Sequence, residues 1–283
     1  MLSLHTNNAA LSAQNSISRT QSSLSTSMTR LSTGYRINSA MDDAAGLQIA
    51  SRLKAQTSGM AVAMRNTQNS TSMLQTAEGA LDEVGNMLVR MKDLATQSAD
   101  ASSTADDKKA MQSEYDALGL ELSNVLKNTT FGGTKLLVGG TVASSMTFQI
   151  GASSSETMTV NLATDMSQVV SDVTSATVNY AGTAGGTELT SAANASITKL
   201  ETALASVNKV RSGLGAAANR LEHVYNNLSN ISTNSKAAAG LIMDVDFATE
   251  SANMTSNQML LQAGTAMLKQ SNSMSSMVMS LLQ

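Results

Sequence analysis

The sequence predicts a mainly α fold. It is a long antiparallel helical coiled-coil bundle made by paired N- and C-terminal segments, with a small central β-hairpin. Three observations carry this expectation. Apolar residues recur every seven positions near both ends of the chain, the spacing of a helix–helix seam. Pro is absent from all 283 residues, so nothing punctuates long helices. Aromatics make up only 2% and Trp is missing, so Ala, Leu, Val and Met must do the packing, side chains that suit close helix contact.

The elements follow in order. From residue 4 to 33, Ala10, Ile17, Leu24 and Leu31 stand seven apart on an otherwise Ser/Thr/Asn/Gln-rich segment, with Leu11 and Met28 widening the stripe. Thr33 to Asn38 interrupts it. Ser39-Ala-Met-Asp42 then has the form of a capping box, followed by Asp43. A second helix is expected over 43–99, with Leu53, Met60, Leu74, Leu81, Leu88 and Ala95 on one heptad column and Ala77, Val84 and Met91 on another. It would be roughly 80–85 Å long at ~1.5 Å per residue. Gly59, Gly79 and Gly85 lie inside it, a cost that close helix contact would offset. After a small polar turn, Ser103 and Thr104 precede Asp106 and Asp107, and Met111, Tyr115, Leu118, Leu122 and Val125 carry a third helix to Asn128.

The middle changes period. Met146, Phe148 and Ile150 alternate with polar residues, as do Met158, Val160 and Leu162, which predicts a β-hairpin. Residues 164–188 are expected to be loop with at most a helical turn. Leu200, Val207, Leu214, Leu221 and Leu228 restore the heptad, beside Val210, Ala217, Val224 and Ile231. Polar Ser232 to Gly240 separates this helix from a last one carrying Leu260, Met267, Met274 and Leu281. The expected domains are 1–40 with 241–283 as a terminal coiled-coil domain, 41–140 with 189–240 as an inner helical bundle, and 141–188 as a hairpin and outer loop region.

Composition excludes several functions. Without Cys there is no disulfide or thiolate chemistry. A net charge of −3 gives no basic excess for nucleic acid. No apolar run is long enough to span a membrane, so no membrane insertion is expected, and residues 1–11 do not resemble a cleaved secretory signal. His5 and His223 are far apart and outside any H-E-x-x-H pattern. Asp42 and Asp43 read better as helix-start charges than as catalytic carboxylates. Gly132-Gly133 and Gly139-Gly140 lack phosphate-loop spacing and read as turns. The 19 Met residues read as core packing. No catalytic residue, cofactor or metal site is expected.

Several motifs resemble bacterial flagellin. They are Leu31-Ser-Thr-Gly-Tyr-Arg-Ile-Asn-Ser-Ala-Met-Asp-Asp-Ala-Ala-Gly-Leu-Gln-Ile-Ala50, Asn66 to Ala77, Phe131 to Leu137, Leu214 to Leu221, Asp244 to Glu250 and Gln258 to Gly264. The likeness covers about 1–140 and 190–283, in order. It departs at Lys236 to Met243, where flagellins often carry arginines, and at Ser273 to Gln283, which lacks a frequent Pro. The resemblance implies a homopolymeric filament subunit, exported through a type III channel to an extracellular flagellum. A hook–filament junction protein is the alternative. It also implies an export chaperone at the C-terminal segment, and filament-cap and hook-junction proteins as partners. The stripe Ala10, Ile17, Leu24, Leu31, Leu260, Met267, Met274 and Leu281 would be the core of the subunit interface. Arg90, Leu94 and Glu114 match the segment by which some flagellins engage a Toll-like innate immune receptor. Because the terminal stripes are narrow, residues 1–35 and 245–283 are expected to order only on polymerisation.

Overall fold

The computed structural model describes the backbone of residues 7–182 and 185–281, and side chains as far as Met274. Seven α-helices and two small antiparallel hairpins run through the described residues. They are α1 (Asn8–Thr33), α2 (Ala44–Ala99), α3 (Ala105–Asn128), β1 (Thr130–Phe131), β2 (Thr134–Lys135), β3 (Ser145–Gln149), β4 (Thr157–Asn161), α4 (Ala163–Ala176), α5 (Glu188–Ser191), α6 (Ala193–Met243) and α7 (Phe247–Leu281). They form two compact units, residues 57–232 and residues 1–56 with 233–283. Helices α2 and α6 contribute to both.

Residues 57–232 hold the apolar core. Heptad columns of α2 and α6 meet there antiparallel: Leu74, Leu81, Val84, Leu88 and Met91 are 0–1% exposed, as are Leu200, Val207, Val210 and Leu214. Charged side chains flank this seam. Arg211 pairs with Glu78 at 2.9 Å and Asp82 at 2.7 Å, and Lys92 with Glu201 at 2.8 Å. Helix α3 starts at the expected cap. The Thr104 hydroxyl accepts from the Asp107 N–H, and the Asp107 carboxylate accepts from the Thr104 N–H. Its Tyr115 is fully buried and donates to the Ala176 carbonyl at 2.7 Å. The expected hairpin is β3–β4, with Met146 opposite Val160 and Phe148 opposite Met158. Gly132-Gly133 is the turn of the small β1–β2 hairpin.

Four expectations are corrected. Residues 163–176 are helix α4, not loop: Met166, Val169, Val173 and Ala176 form a fully buried 3–4–3 stripe, which the surrounding Ser and Thr disguise. A 3-10 turn (Val178–Ala181) and α5 follow it, so 164–188 holds far more than one helical turn. Helix α6 runs unbroken through 232–240. The small polar residues there are not helix breakers, and Ala237-Ala-Ala239 favours the helix. The cap of α2 is Asp43, which accepts from the Gly46 N–H at 2.8 Å. Ser39 to Asp42 forms a preceding turn, in which the Asp42 carboxylate accepts from the N–H groups of Asn38 and Ser39. Of the glycines inside α2, Gly59 does lie in close contact, since a Cβ there would stand 2.7 Å from the Ala152 Cβ, but Gly79 and Gly85 have nothing within 4 Å.

Candidate assembly interface

In the unit formed by the two ends of the chain, α1 lies antiparallel against α7. Asn7 near the start of α1 donates through Nδ2 to the carbonyl and hydroxyl of Ser271 at 3.2 Å, and Arg30 near its end faces Glu250 at 3.8 Å. Between these polar ends the seam follows heptad spacing. Ala10, Ala13, Ile17, Leu24 and Leu31 of α1 are half-buried, as are Met254, Asn257, Leu261, Gly264, Leu268 and Ser271 of α7. Ile17 sits over Gly264, where a Cβ would approach Ile17 Cγ1 to 2.9 Å. Among the described residues of these two helices the only buried side chains are polar, Ser27 and Glu250.

Both helix pairs change direction at one level of this unit. Gly34 ends α1 with φ +75°, a left-handed value that a residue without a Cβ adopts freely, and its N–H donates to Arg30. Residues 35 and 244 form an antiparallel bridge. The Val245 N–H donates to the Gly34 carbonyl at 3.0 Å. Arg36 donates from Nη2 to the Ile242 carbonyl at 3.1 Å and from its N–H to Met243 at 2.6 Å, so a cation closes the carboxyl end of α6. Asp246 caps α7 by accepting from the Ala248 N–H and the Thr249 hydroxyl, which holds its carboxyl below the usual range, the Thr249 hydroxyl being the larger cause.

The sequence-predicted stripe divides on this frame. Ala10, Ile17, Leu24 and Leu31 face α7. Leu260, Met267 and Met274 do not face α1. They are 56%, 69% and 59% exposed, one position beside the seam column Met254, Leu261 and Leu268. Leu281 lies outside the described side chains. Periodicity could not choose between two columns that both repeat every seven residues. The signal that separates them is Asn257, Gly264 and Ser271, the small and polar residues that accompany the inward column. Sequence reading also missed Arg36, and the exposed apolar side chains of Met41 (94%) and Leu241 (88%) in the same unit.

Arg90 and Glu114 are exposed and paired, with guanidinium nitrogens 2.6 and 2.8 Å from one carboxylate oxygen. Leu94, four residues from Arg90, is buried in the core of 57–232. A shallow cleft of about 380 Å³ beside Gly59, lined by Val62, Asn66, Gln149 and Ser153 among others, carries no titratable group. Among the described residues no three His, Cys, Asp or Glu side chains gather as metal ligands, and no helix is long and apolar enough to cross a membrane. His223 is exposed, and His5 lies outside the described residues.

Paired terminal helices that leave one apolar column uncovered place the chain among long-helix proteins built from their two chain ends. Comparison with known proteins gives the family. The bacterial flagellin N-terminal helical region matches residues 4–142, and the bacterial flagellin C-terminal helical region matches residues 197–282. The chain belongs to the bacterial flagellins and is a subunit of the flagellar filament. It is 34% identical to flagellin A of Vibrio anguillarum, with all of both chains covered, and 39% identical to a flagellin of Halalkalibacterium halodurans over 90% of each. The Vibrio alignment spans 379 positions, more than the 283 residues here, so that relative carries residues this chain lacks. A putative flagellar hook-associated protein from Vibrio parahaemolyticus shares the fold with a TM-score of 0.58, covering 71% of this chain and 99% of its own. At 18% identity that likeness speaks for the fold alone and does not favour a junction protein.

Proposed function

We propose that the outward column of α7, Leu260, Met267 and Met274, with Leu281 seven residues further along the sequence, is the contact by which copies of this chain polymerise, with Ala10, Ile17, Leu24 and Leu31 ordering the helix pair that presents it. The supporting observation is an apolar column more than half exposed on one helix face, beside a seam whose only buried described side chains are polar. Apolar side chains left in water at this spacing gain on the order of 1.5–3 kcal/mol each when fully covered. A second copy with the same column supplies that cover. On this reading residues 1–40 and 241–283 form the filament core, 41–140 and 189–240 the surrounding bundle, and 141–188 the outward region. The chain leaves the cell unfolded through a type III channel, with an export chaperone on the C-terminal segment, and meets cap and junction proteins outside.

The thinness of the α1–α7 seam supports ordering of these helices on polymerisation. Hydrogen exchange on depolymerised subunits should find α1 and α7 unprotected and the filament protected there. Strong protection at both ends of the free subunit would refute coupled ordering. The double substitution L260E/M267E should abolish sedimentable polymer, and normal filaments from it would refute the contact.

For the Toll-like receptor, the exposed Arg90–Glu114 pair is the part available for contact, and buried Leu94 positions the helix beneath it. Replacing both charged residues with Ala should lower receptor binding, measured with the receptor ectodomain, without moving the unfolding temperature.

A further inference from the structure

The methionines, expected from the sequence to be core, sort by unit. Met60, Met91, Met146, Met158 and Met166 in residues 57–232 are 0–3% exposed. Among the described side chains, the methionines more than half exposed all belong to the unit made by the two chain ends: Met28 at 57%, Met41 at 94%, Met259 at 60%, Met267 at 69% and Met274 at 59%. Three of these share α7, and two stand in the column placed above at the polymerisation contact. The chain holds no Cys, so no thiol competes for an oxidant.

We propose that Met259, Met267 and Met274 form an oxidation site for hydrogen peroxide, through which this two-electron oxidant blocks polymerisation of the free subunit. The inference rests on the assembly reading above. A lone pair on the thioether Sδ attacks one peroxide oxygen. An S–O bond forms as the O–O bond breaks, the departing hydroxide takes the proton from the transferred oxygen, and sulfoxide and water result. Sulfur is oxidised by two electrons and the peroxide is reduced by two. The product is a polar, chiral group on a stem that was apolar and flexible. A sulfoxide oxygen accepts hydrogen bonds strongly, and an apolar column offers it no donor on burial. Two such groups in the column, about two turns apart, with a third beside it at Met259, should raise the concentration needed for assembly by at least about tenfold. Leu260 on the same face has no such chemistry, so the effect belongs to sulfur and not to the column as a whole.

The test is graded hydrogen peroxide on the full-length free subunit, with sulfoxide located by peptide mass spectrometry and polymer measured by sedimentation. Sulfoxide is expected at Met259, Met267 and Met274 at doses that leave Met91 and Met166 intact, with assembly falling in step. The M259L/M267L/M274L variant, read only against its own untreated sample, should lose no further assembly on peroxide treatment. Treating the oxidised native chain with methionine sulfoxide reductases of both stereospecificities should restore assembly, a measurement that needs no variant. Undiminished assembly of the oxidised chain, equal peroxide sensitivity of the Leu variant, or no recovery after reduction would each overturn the proposal. If unoxidised L260E/M267E polymerises, the interface reading fails instead, and the two failures are distinct.

Discussion

Residues 57–232 and the α1–α7 pair are both built from heptad columns, yet they bury very different material. In the former, Leu81, Val84, Leu122, Val207 and Leu214 are wholly inaccessible. In α1 and α7 every described apolar side chain keeps some exposure, and the buried positions are Ser27 and Glu250. The same periodicity therefore specifies a self-sufficient core in one place and half an interface in the other. The difference lies in partner number. Helix α2 lies against α3 through Arg90–Glu114, against α6 through Arg211 with Glu78 and Asp82, and against the β3–β4 loop at Gly59, and its stripe is closed inside one shared core. In the terminal pair one helix covers one flank, and the second column of α7 is left to solvent.

The largest effect that tests this contrast is truncation. Removing Met267 to Gln283 should eliminate polymer on sedimentation while the thermal unfolding of residues 57–232 shifts by less than about 2 °C. A larger shift would mean that the stability of the core depends on the terminal helix. Next comes a pair of equal deletions. Leu81→Ala removes a fully buried side chain and should cost about 3 kcal/mol in denaturant unfolding. Leu24→Ala, on a half-buried seam, should cost under about 1 kcal/mol in the free subunit yet weaken polymerisation. Equal costs in the free chain would erase the distinction.

Smaller still is the glycine pair within α2. At Gly79 a methyl group meets open space in an exposed helix interior, so Gly79→Ala should stabilise by roughly 0.5–1 kcal/mol. At Gly59 the same methyl group collides with Ala152, so Gly59→Ala should destabilise by about 1–3 kcal/mol unless the β3–β4 loop moves away. Stabilisation at both positions would show that the loop does not pack firmly on α2.

The sequence was legible where packing and local preference agree. Helix α2 was expected over 43–99 and spans Ala44–Ala99, because Leu, Met and Ala columns and the absence of Pro point the same way. The Thr104–Asp107 cap was readable because its donors and acceptors are all local. Helix α4 was not, because its Ser, Thr and Val content lowers intrinsic preference and only burial of Met166 to Ala176 selects the helix. The orientation of α7 was hidden for a different reason. Two columns, Met254-Leu261-Leu268 and Leu260-Met267-Met274, carry the same heptad spacing, and only the fit of Ile17 over Gly264 decides which one faces α1.

The smallest expected effect sharpens the comparison through pH. Asp42 and Asp246 among the chain ends, and Asp100 and Asp107 within 57–232, all have carboxyl groups held below the ordinary value of 3.8. The main causes are N–H groups of Ser39 and Asn38 for Asp42, and the hydroxyls of Thr249, Ser102 and Thr104 for Asp246, Asp100 and Asp107 in turn. A depressed pKa in the folded chain contributes stability that is present above 3.8 and lost as pH falls through the folded value. Acid below 3.8 should therefore loosen the turns held by Asp42 and Asp100 and the helix caps held by Asp107 and Asp246. At Thr104 the first turn of α3 runs on to Met111 and Tyr115, which are anchored in the core, so fraying should stop within that turn. At Asp246 the first turn holds exposed Phe247 and one buried carboxylate, Glu250 facing Arg30, with no buried apolar side chain before half-buried Met254, so fraying should spread along α7. Exchange protection of the Ala248 and Thr249 amides should fall more between pH 5 and pH 3 than that of the Asp107 and Lys108 amides, measured on subunits in which α7 is ordered. Asp246→Asn should reproduce part of that loss at neutral pH. Equal loss at both caps would mean that the terminal pair is anchored as firmly as the core.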